Sequence, residues 1–365
     1  MIRFFAIIPI LCCCVLNAQV PTDTNVINVP SEDFLNKLDS LGGMDSVASA
    51  QMQYNKGVEL MENKNYDLAI NYFDTAVLYN PVFTLAYFNR GICQYKKGSL
   101  DLAKVDFNLT IEKDPKFDLA FYEMGLIYEE EGFVDMAIEN YTNAISINGT
   151  EAKYFYQRGV LVFLSDDYEN AIKDFNLAIK NQSNHAYAYN DRGSSYLKIG
   201  DFDAAIKDFH KAVEYNPKLS FSYNNLGSVY RKKEKFNEAI SAYNKAIKLD
   251  KDYYVALNNR GMAKYGKEDF NGALLDFDKA LAIKSDYSFA HNNKASAYIG
   301  LEEWQNAIDA ADKAIELNSN YTYAYYNRAV AKEMLRDLEG ACSDWMKASE
   351  LGLDAARIYY SSTCK

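Results

Sequence analysis

A 34-residue period constrains this chain more than any other feature it carries. With Ala50 as position 1, copies begin at residues 50, 84, 118, 152, 186, 220, 254, 288 and 322, without an insertion or deletion. Position 20 is alanine in all nine copies, from Ala69 to Ala341. Position 8 is glycine in the first seven (Gly57 to Gly261) and alanine in the last two (Ala295, Ala329). Position 24 is aromatic in eight copies, with Ala311 the exception, and position 27 is alanine in all but Thr110. The fifth copy shows the plan. Ala186 to Ile199 is a helical pattern, Gly200-Asp201 stops it and caps the next, Phe202 to Tyr215 is a second helical pattern, and Asn216-Pro217 closes the unit. Gly193 and Ala205 are small enough to let the two helices, A and B, cross closely. One such unit cannot bury its faces alone, so neighbouring copies must stack.

This small–aromatic–small pattern resembles the tetratricopeptide repeat, over residues 50 to about 355. The resemblance implies an all-α, right-handed superhelical solenoid of nine helix-turn-helix repeats (50–355). A short C-terminal capping helix over 356–365 would cover the last apolar face with Ile358 and Tyr359. Residues 19–49 lack the period and are rich in Asp, Ser, Thr and Asn. They read as a flexible segment with a short helix between Ser31 and Gly42-Gly43.

Arg3 precedes 13 apolar residues, Phe4 to Leu16, and Ala18 places a small residue before Gln19. The run is shorter than the roughly 20 residues of a membrane-spanning helix, so residues 1–18 read as a signal peptide. The mature chain is then expected in the periplasm or outside the cell, with no transmembrane span. A membrane-anchored lipoprotein through Cys12, Cys13 or Cys14 is the alternative, although bulky Leu11 or another cysteine precedes each one. Export makes cysteines candidates for pairing. Cys342 and Cys364 are the candidate disulfide, which would staple the cap to the last repeat, whereas Cys93, at position 10, reads as a small buried side chain. The short signal and the terminal cysteine pair together resemble exported repeat proteins of Bacteroidota-type bacteria.

Two charged columns change together. Position 7 is arginine (Arg90, Arg158, Arg192, Arg260, Arg328) in the same five repeats whose position 23 is aspartate (Asp106, Asp174, Asp208, Asp276, Asp344). The four other repeats lack both residues. The spacing predicts a structural ion pair between helices A and B of each of those five repeats. An anion-binding arginine row is the other reading.

The resemblance also implies a concave groove lined by helix A, chiefly through positions 2, 5, 9 and 12. Position 5 then names the partner-binding candidates: Tyr54, Phe88, Tyr122, Tyr156, Asn190, Asn224, Asn258, Asn292 and Tyr326. The first four make an aromatic half, which would either pack against the next repeat or form a docking or dimer surface. The asparagines, most of them with serine at position 9, make an amide half suited to the backbone of an extended peptide. Some family members bind peptides with asparagines at position 6, here Asn55, Asn89, Glu123, Gln157, Asp191, Asn225, Asn259, Asn293 and Asn327.

A net charge of −11 disfavours a nucleic-acid partner. The three histidines fall at unrelated repeat positions, and no catalytic, metal or cofactor motif emerges from the spacing. The expectation is a non-enzymatic protein–protein interaction scaffold that takes a peptide or partner domain. The alternative is a self-associating subunit of a cell-envelope assembly, acting as a homodimer.

Overall fold

The computed structural model describes residues 46–364; the signal-peptide segment 1–18 and the proposed short helix near residues 31–42 lie outside them. Nineteen α-helices and no strand occur among the described residues, an all-α solenoid architecture of stacked helix-turn-helix pairs. In chain order the pairs are α1 (Ser46–Glu62) with α2 (Tyr66–Tyr79), α3 (Thr84–Lys96) with α4 (Leu100–Lys113), α5 (Asp118–Glu130) with α6 (Val134–Ile147), and α7 (Ala152–Leu164) with α8 (Tyr168–Asn181). Then come α9 (Ala186–Ile199) with α10 (Phe202–Tyr215), α11 (Ser220–Lys232) with α12 (Phe236–Leu249), and α13 (Tyr254–Gly266) with α14 (Phe270–Ile283). The last are α15 (Ser288–Gly300) with α16 (Trp304–Leu317), α17 (Thr322–Met334) with α18 (Leu338–Glu350), and the single helix α19 (Asp354–Thr363). The chain divides into two compact units, 46–188 and 189–364. The first helix starts four residues ahead of the 34-residue frame, so 46–49 belong to α1 and not to a flexible segment.

Each A helix ends the same way. Position 15 has a positive φ in all nine copies, between 57° and 86°: Lys64, Gly98, Gly132, Asp166, Gly200, Glu234, Glu268, Glu302 and Arg336. The next backbone N–H turns back to position 11, as in Ser99 to Gln94 (2.9 Å), satisfying a carbonyl that the helix would leave open. Only three of the nine are glycine; the other six accept an unfavourable backbone region to keep the turn. Helix B then starts, and Asp167, Asp201, Asp269 and Asp337 accept the N–H three residues on as N-caps.

The crossing of A and B is as tight as the small residues allow. A Cβ at Gly125 or Gly261 would lie 2.5 Å from the ring of Tyr141 or Phe277, the position-24 aromatic of the same repeat. In the eighth repeat both change together, and Ala295 packs on Ala311. Between repeats, position 3 seals the joint. Ala86, Ala120, Tyr154, Ala256, Ala290 and Ala324 are fully buried, whereas Met52 of the first repeat is 49% exposed. Glu59, in the first repeat, takes the position where later repeats bury Cys93 or Ile127. The start of the stack is therefore faced with a polar residue, as a terminal repeat requires. The other end is covered by α19. Tyr359 stacks on Trp345 (5.5 Å), and Cys342 is bonded to Cys364 across a Cα–Cα distance of 5.6 Å.

Candidate partner-binding surfaces

The position-5 row does not line an open groove, which corrects the partner-binding assignment. Tyr54, Phe88, Tyr122, Tyr156, Asn190, Asn224, Asn258 and Asn292 are all buried, none more than 5% exposed, and Tyr326 is half-buried. The physical reason is the stacking itself. Tyr54 is wedged between Phe73 of its own helix B (5.7 Å) and Phe83 of the linker to the next repeat (4.8 Å). Phe88 repeats this with Phe107 and Phe117. Tyr122 packs on Tyr141 and Tyr154, and Tyr156 on Phe175 and His185. Tyr326 meets Tyr359 of the cap. The aromatic half is core and offers no dimer surface.

The amide half is also interior. Asn259 donates to Asn224 Oδ1 (3.0 Å), Asn293 to Asn258 (2.8 Å) and Asn327 to Asn292 (2.9 Å). Asn190 Oδ1 accepts from Ser222 (2.9 Å) and Asn225 (3.3 Å). In the four asparagine–asparagine bonds position 6 of one repeat donates to position 5 of the repeat before, a separation of 35. Asn89 makes the same bond to the Tyr54 hydroxyl (2.8 Å). The position-6 asparagines thus spend these donors on the fold instead of on a peptide. Sequence reading missed this, although the signal was present: each position-5 asparagine is followed 35 residues later by another asparagine.

The arginine and aspartate columns meet. Arg90 Nη2 lies 2.5 Å from Asp106, Arg158 2.7 Å from Asp174, Arg192 2.7 Å from Asp208, Arg260 2.6 Å from Asp276 and Arg328 2.5 Å from Asp344. All five carboxylates are buried. Nη1 reaches the preceding repeat: Arg90 bonds Asp74, Arg158 Thr142, Arg260 Asn244 and Arg328 Asp312. These guanidinium groups are therefore tied in two directions, holding helix A to its own helix B and to the helix B before it. An arginine committed in this way has little left for a bound anion. Position 25, the second partner, is the column that sequence reading overlooked.

Two features of the 46–188 unit stand apart from this regular economy. The first is an apolar row on the outer side of helix B. Position 19 is Leu68, Leu102 and Met136 in the first three repeats, 46%, 57% and 43% exposed, with Val105 and Phe133 similarly open. In later repeats position 19 is Asn170, Ala204, Glu238, Gly272, Asn306 and Gly340.

The second is a carboxylate cluster. Residues 118–151 hold eight Asp or Glu side chains and no Lys or Arg, a net −8 against −11 for the whole chain. Glu123 stands at position 6, where the lag of 35 sets it against Phe88, which offers no polar atom. No hydrogen bond or ion pair to Glu123 occurs among the described residues, and burial pushes its carboxyl up to about 7 against the pull of Lys96 and Lys153. Nearby, Glu129 Oε2 accepts from Tyr141 Oη (2.7 Å) and from Gln157 Nε2 (3.4 Å). Burial raises the Glu129 carboxyl as well. Burial first, and then the carboxylates of Glu130, Glu123 and Glu129, raise the Tyr95 hydroxyl to about 12. Gln157 is only 4% exposed, and its Oε1 has no partner.

Sequence and structure comparisons agree with this architecture. Models of the tetratricopeptide repeat match residues 54–115, 119–151, 186–219, 220–253 and 290–321, together more than half of the chain. No curated protein matches it. Among solved structures, a chain of the APC/C Cut9–Hcn1 hetero-tetramer matches with a TM-score of 0.54 and 14% identity, over 81% of this chain and 58% of that one. The pilF protein of Pseudomonas aeruginosa matches at 0.51 and 16%, over 58% of this chain and 96% of that one. A tetratricopeptide repeat protein of Parabacteroides merdae matches at 0.49 and 18%, over 68% and 98%. At such identities the likeness concerns the fold. No helix among the described residues is long and apolar enough to cross a membrane. Repeats of this kind generally mediate protein–protein interactions. With the 34-residue period, the glycine–ring crossings and the family-model matches in hand, the chain belongs to the tetratricopeptide repeat family.

Proposed function

We propose that this chain is a non-enzymatic scaffold that holds a partner protein or peptide, with the first three repeats as its main docking region. The observation that carries this is the exposed row Leu68, Leu102, Val105, Phe133 and Met136. Leaving five large apolar side chains in water on consecutive repeats gains nothing for the fold, and a contiguous apolar patch is the usual mark of an interface. An exposed aspartate precedes each position-19 residue: Asp67, Asp101 and Asp135. Asp67 and Asp101 are already paired with Lys97 and Lys104, which leaves Asp135 as the open charge on this border and favours a partner with a basic side chain over a second copy.

Affinity capture with the full chain and with a Leu102→Glu, Phe133→Glu variant tests the reading. The variant should fold with an unchanged melting temperature and lose a protein that the parent retains. Identical capture by both would overturn it. Light scattering during size exclusion separates the alternative, since a concentration-dependent dimer lost in the same variant would mean self-association.

Export to the periplasm or beyond the cell belongs to the same proposal. The apolar run before Gln19 supports it, and so does the Cys342–Cys364 bond, which suits an oxidising compartment. Intact mass of protein from its native cell, with Gln19 as the first residue, is the expected result.

A further inference from the structure

We propose that α19 is a thiol-controlled cap: the Cys342–Cys364 bond holds it closed over the last repeat, and reduction of that bond releases it while the nine repeats stay folded. This goes beyond the scaffold reading and does not depend on the apolar row.

Little besides the bond holds α19 in place. Ala356 is its only buried residue, whereas α17 and α18 bury four each. Ala355 and Tyr359 are half-buried, and the other residues of the helix are exposed, Ile358 to 64%. Ser361 and Ser362 donate to carbonyls of their own helix, and Arg357 pairs with Asp354 one turn away, so none of these ties α19 to the repeat below. A ten-residue helix is too short to be stable by itself in water. The turn Leu351-Gly352-Leu353 tethers its start, and Cys364, just past its last turn, tethers its end. Breaking the bond frees that end and restores the chain entropy that the cross-link removes.

The closed form also carries a cost. Trp345 is fully buried, with Tyr359 of the cap stacked on its ring, and its indole N–H has no acceptor among the described residues. A buried donor without an acceptor opposes the burial that the cap completes. The bond is within reach of solvent, since Cys342 and Cys364 are both only half-buried, whereas Cys93 is fully buried. The reductant is a dithiol. One of its thiolates attacks a sulfur of the bond, the S–S bond breaks, and a mixed disulfide forms; its second thiol then displaces the protein sulfur. Two electrons and two protons pass to Cys342 and Cys364, which become thiols, and the dithiol leaves as a disulfide. A disulfide oxidant reverses the exchange, so the cap closes only where thiols are oxidised.

The test compares the full chain with and without millimolar dithiothreitol at pH 8, by hydrogen exchange read peptide by peptide. Maleimide labelling of the reduced chain should reach Cys342 and Cys364 and spare Cys93. The amides of α19 should lose about a hundredfold of their protection, while those of α15 to α18 keep theirs. Trp304→Phe leaves Trp345 as the single indole, and acrylamide should quench its fluorescence more strongly after reduction. Replacing dithiothreitol by oxidised glutathione should restore both signals. Cys342→Ser together with Cys364→Ser should behave as the reduced chain, whether or not reductant is present. Unchanged protection of α19 after reduction would overturn the proposal, because packing alone would then hold the cap. Loss of protection throughout α17 and α18 would overturn it too, by making the bond a support of the last repeat. So would failure of the reduced chain to close again under the oxidant.

Discussion

The two units fill the same position of the same repeat with opposite chemistry. In 46–188, position 5 is Tyr54, Phe88, Tyr122 and Tyr156, and the joint between repeats is closed by rings. In 189–364 it is Asn190, Asn224, Asn258 and Asn292, with Tyr326 in the last repeat, and the joints at the asparagines are closed by amide hydrogen bonds. One geometry accepts both because each solution pairs like with like across the joint. Rings need only apolar neighbours, whereas amides need one another, so the asparagine unit must supply position 6 as well as position 5. The aromatic unit carries no such demand. Its position 6 is free to vary, and there it holds Glu123 and Gln157. Both units leave some amide atoms over, Asn89 Oδ1 and Gln157 Oε1 in one, Asn292 Nδ2 and Asn293 Oδ1 in the other.

Substitution should expose the difference between the two joints. The largest effect is expected from Phe88→Ala, which opens a cavity beside Phe107 and Phe117 and should cost about 3–5 kcal/mol in chemical denaturation. Hydrogen exchange should place the loss in the 46–188 unit. Asn258→Ala should cost about 2–3 kcal/mol by leaving Asn293 Nδ2 without an acceptor. Replacing Asn258 and Asn293 together by leucine should cost less than the single change, since no buried donor is then stranded. Additive losses in that pair would show the amide joint to be a set of independent contacts.

Next comes Glu123. Its folded carboxyl holds a proton up to about pH 7, above the ordinary 4.5, so its charged form opposes folding. The penalty is absent below about pH 4.5, grows as pH rises and is complete above 7. Glu123→Gln should therefore stabilise the chain by about 1–3 kcal/mol at pH 8, with little difference near pH 4.5. The smallest effect is common to both units. Glu268→Gly relieves a positive φ and should gain about 1 kcal/mol at most, with Lys64→Gly its counterpart in the other unit. A loss in either would mean that the side chain, and not the turn, dominates there.

Much of the fold was legible because its signals repeat down single columns. The alanine at position 20, the glycine at position 8 and the ring at position 24 report one crossing nine times over. The arginine and aspartate columns are readable for a related reason, since they change together within one unit. The site was less legible. Tyr, Phe and Asn at position 5 share no polarity, so the column does not show whether it faces solvent or the next repeat. The decisive coupling runs from position 5 to position 6 of the following copy, a lag of 35 that falls outside any single repeat. The turn at position 15 was half hidden, with glycine at Gly98, Gly132 and Gly200 and six residues that accept the same φ without being glycine. Glu123 is visible in sequence only as an unusual letter at position 6; its significance needs Phe88 opposite it.

A joint held by paired amides should respond to substitution as a unit. The direct measurement is the unfolding free energy, by chemical denaturation, of Asn258→Leu, of Asn293→Leu and of the two together. A pair that loses less than either single change is the expected result, since Asn293 donates to Asn258 and both partners are then removed together. Losses that add would contradict the account that positions 5 and 6 of neighbouring repeats hold one another.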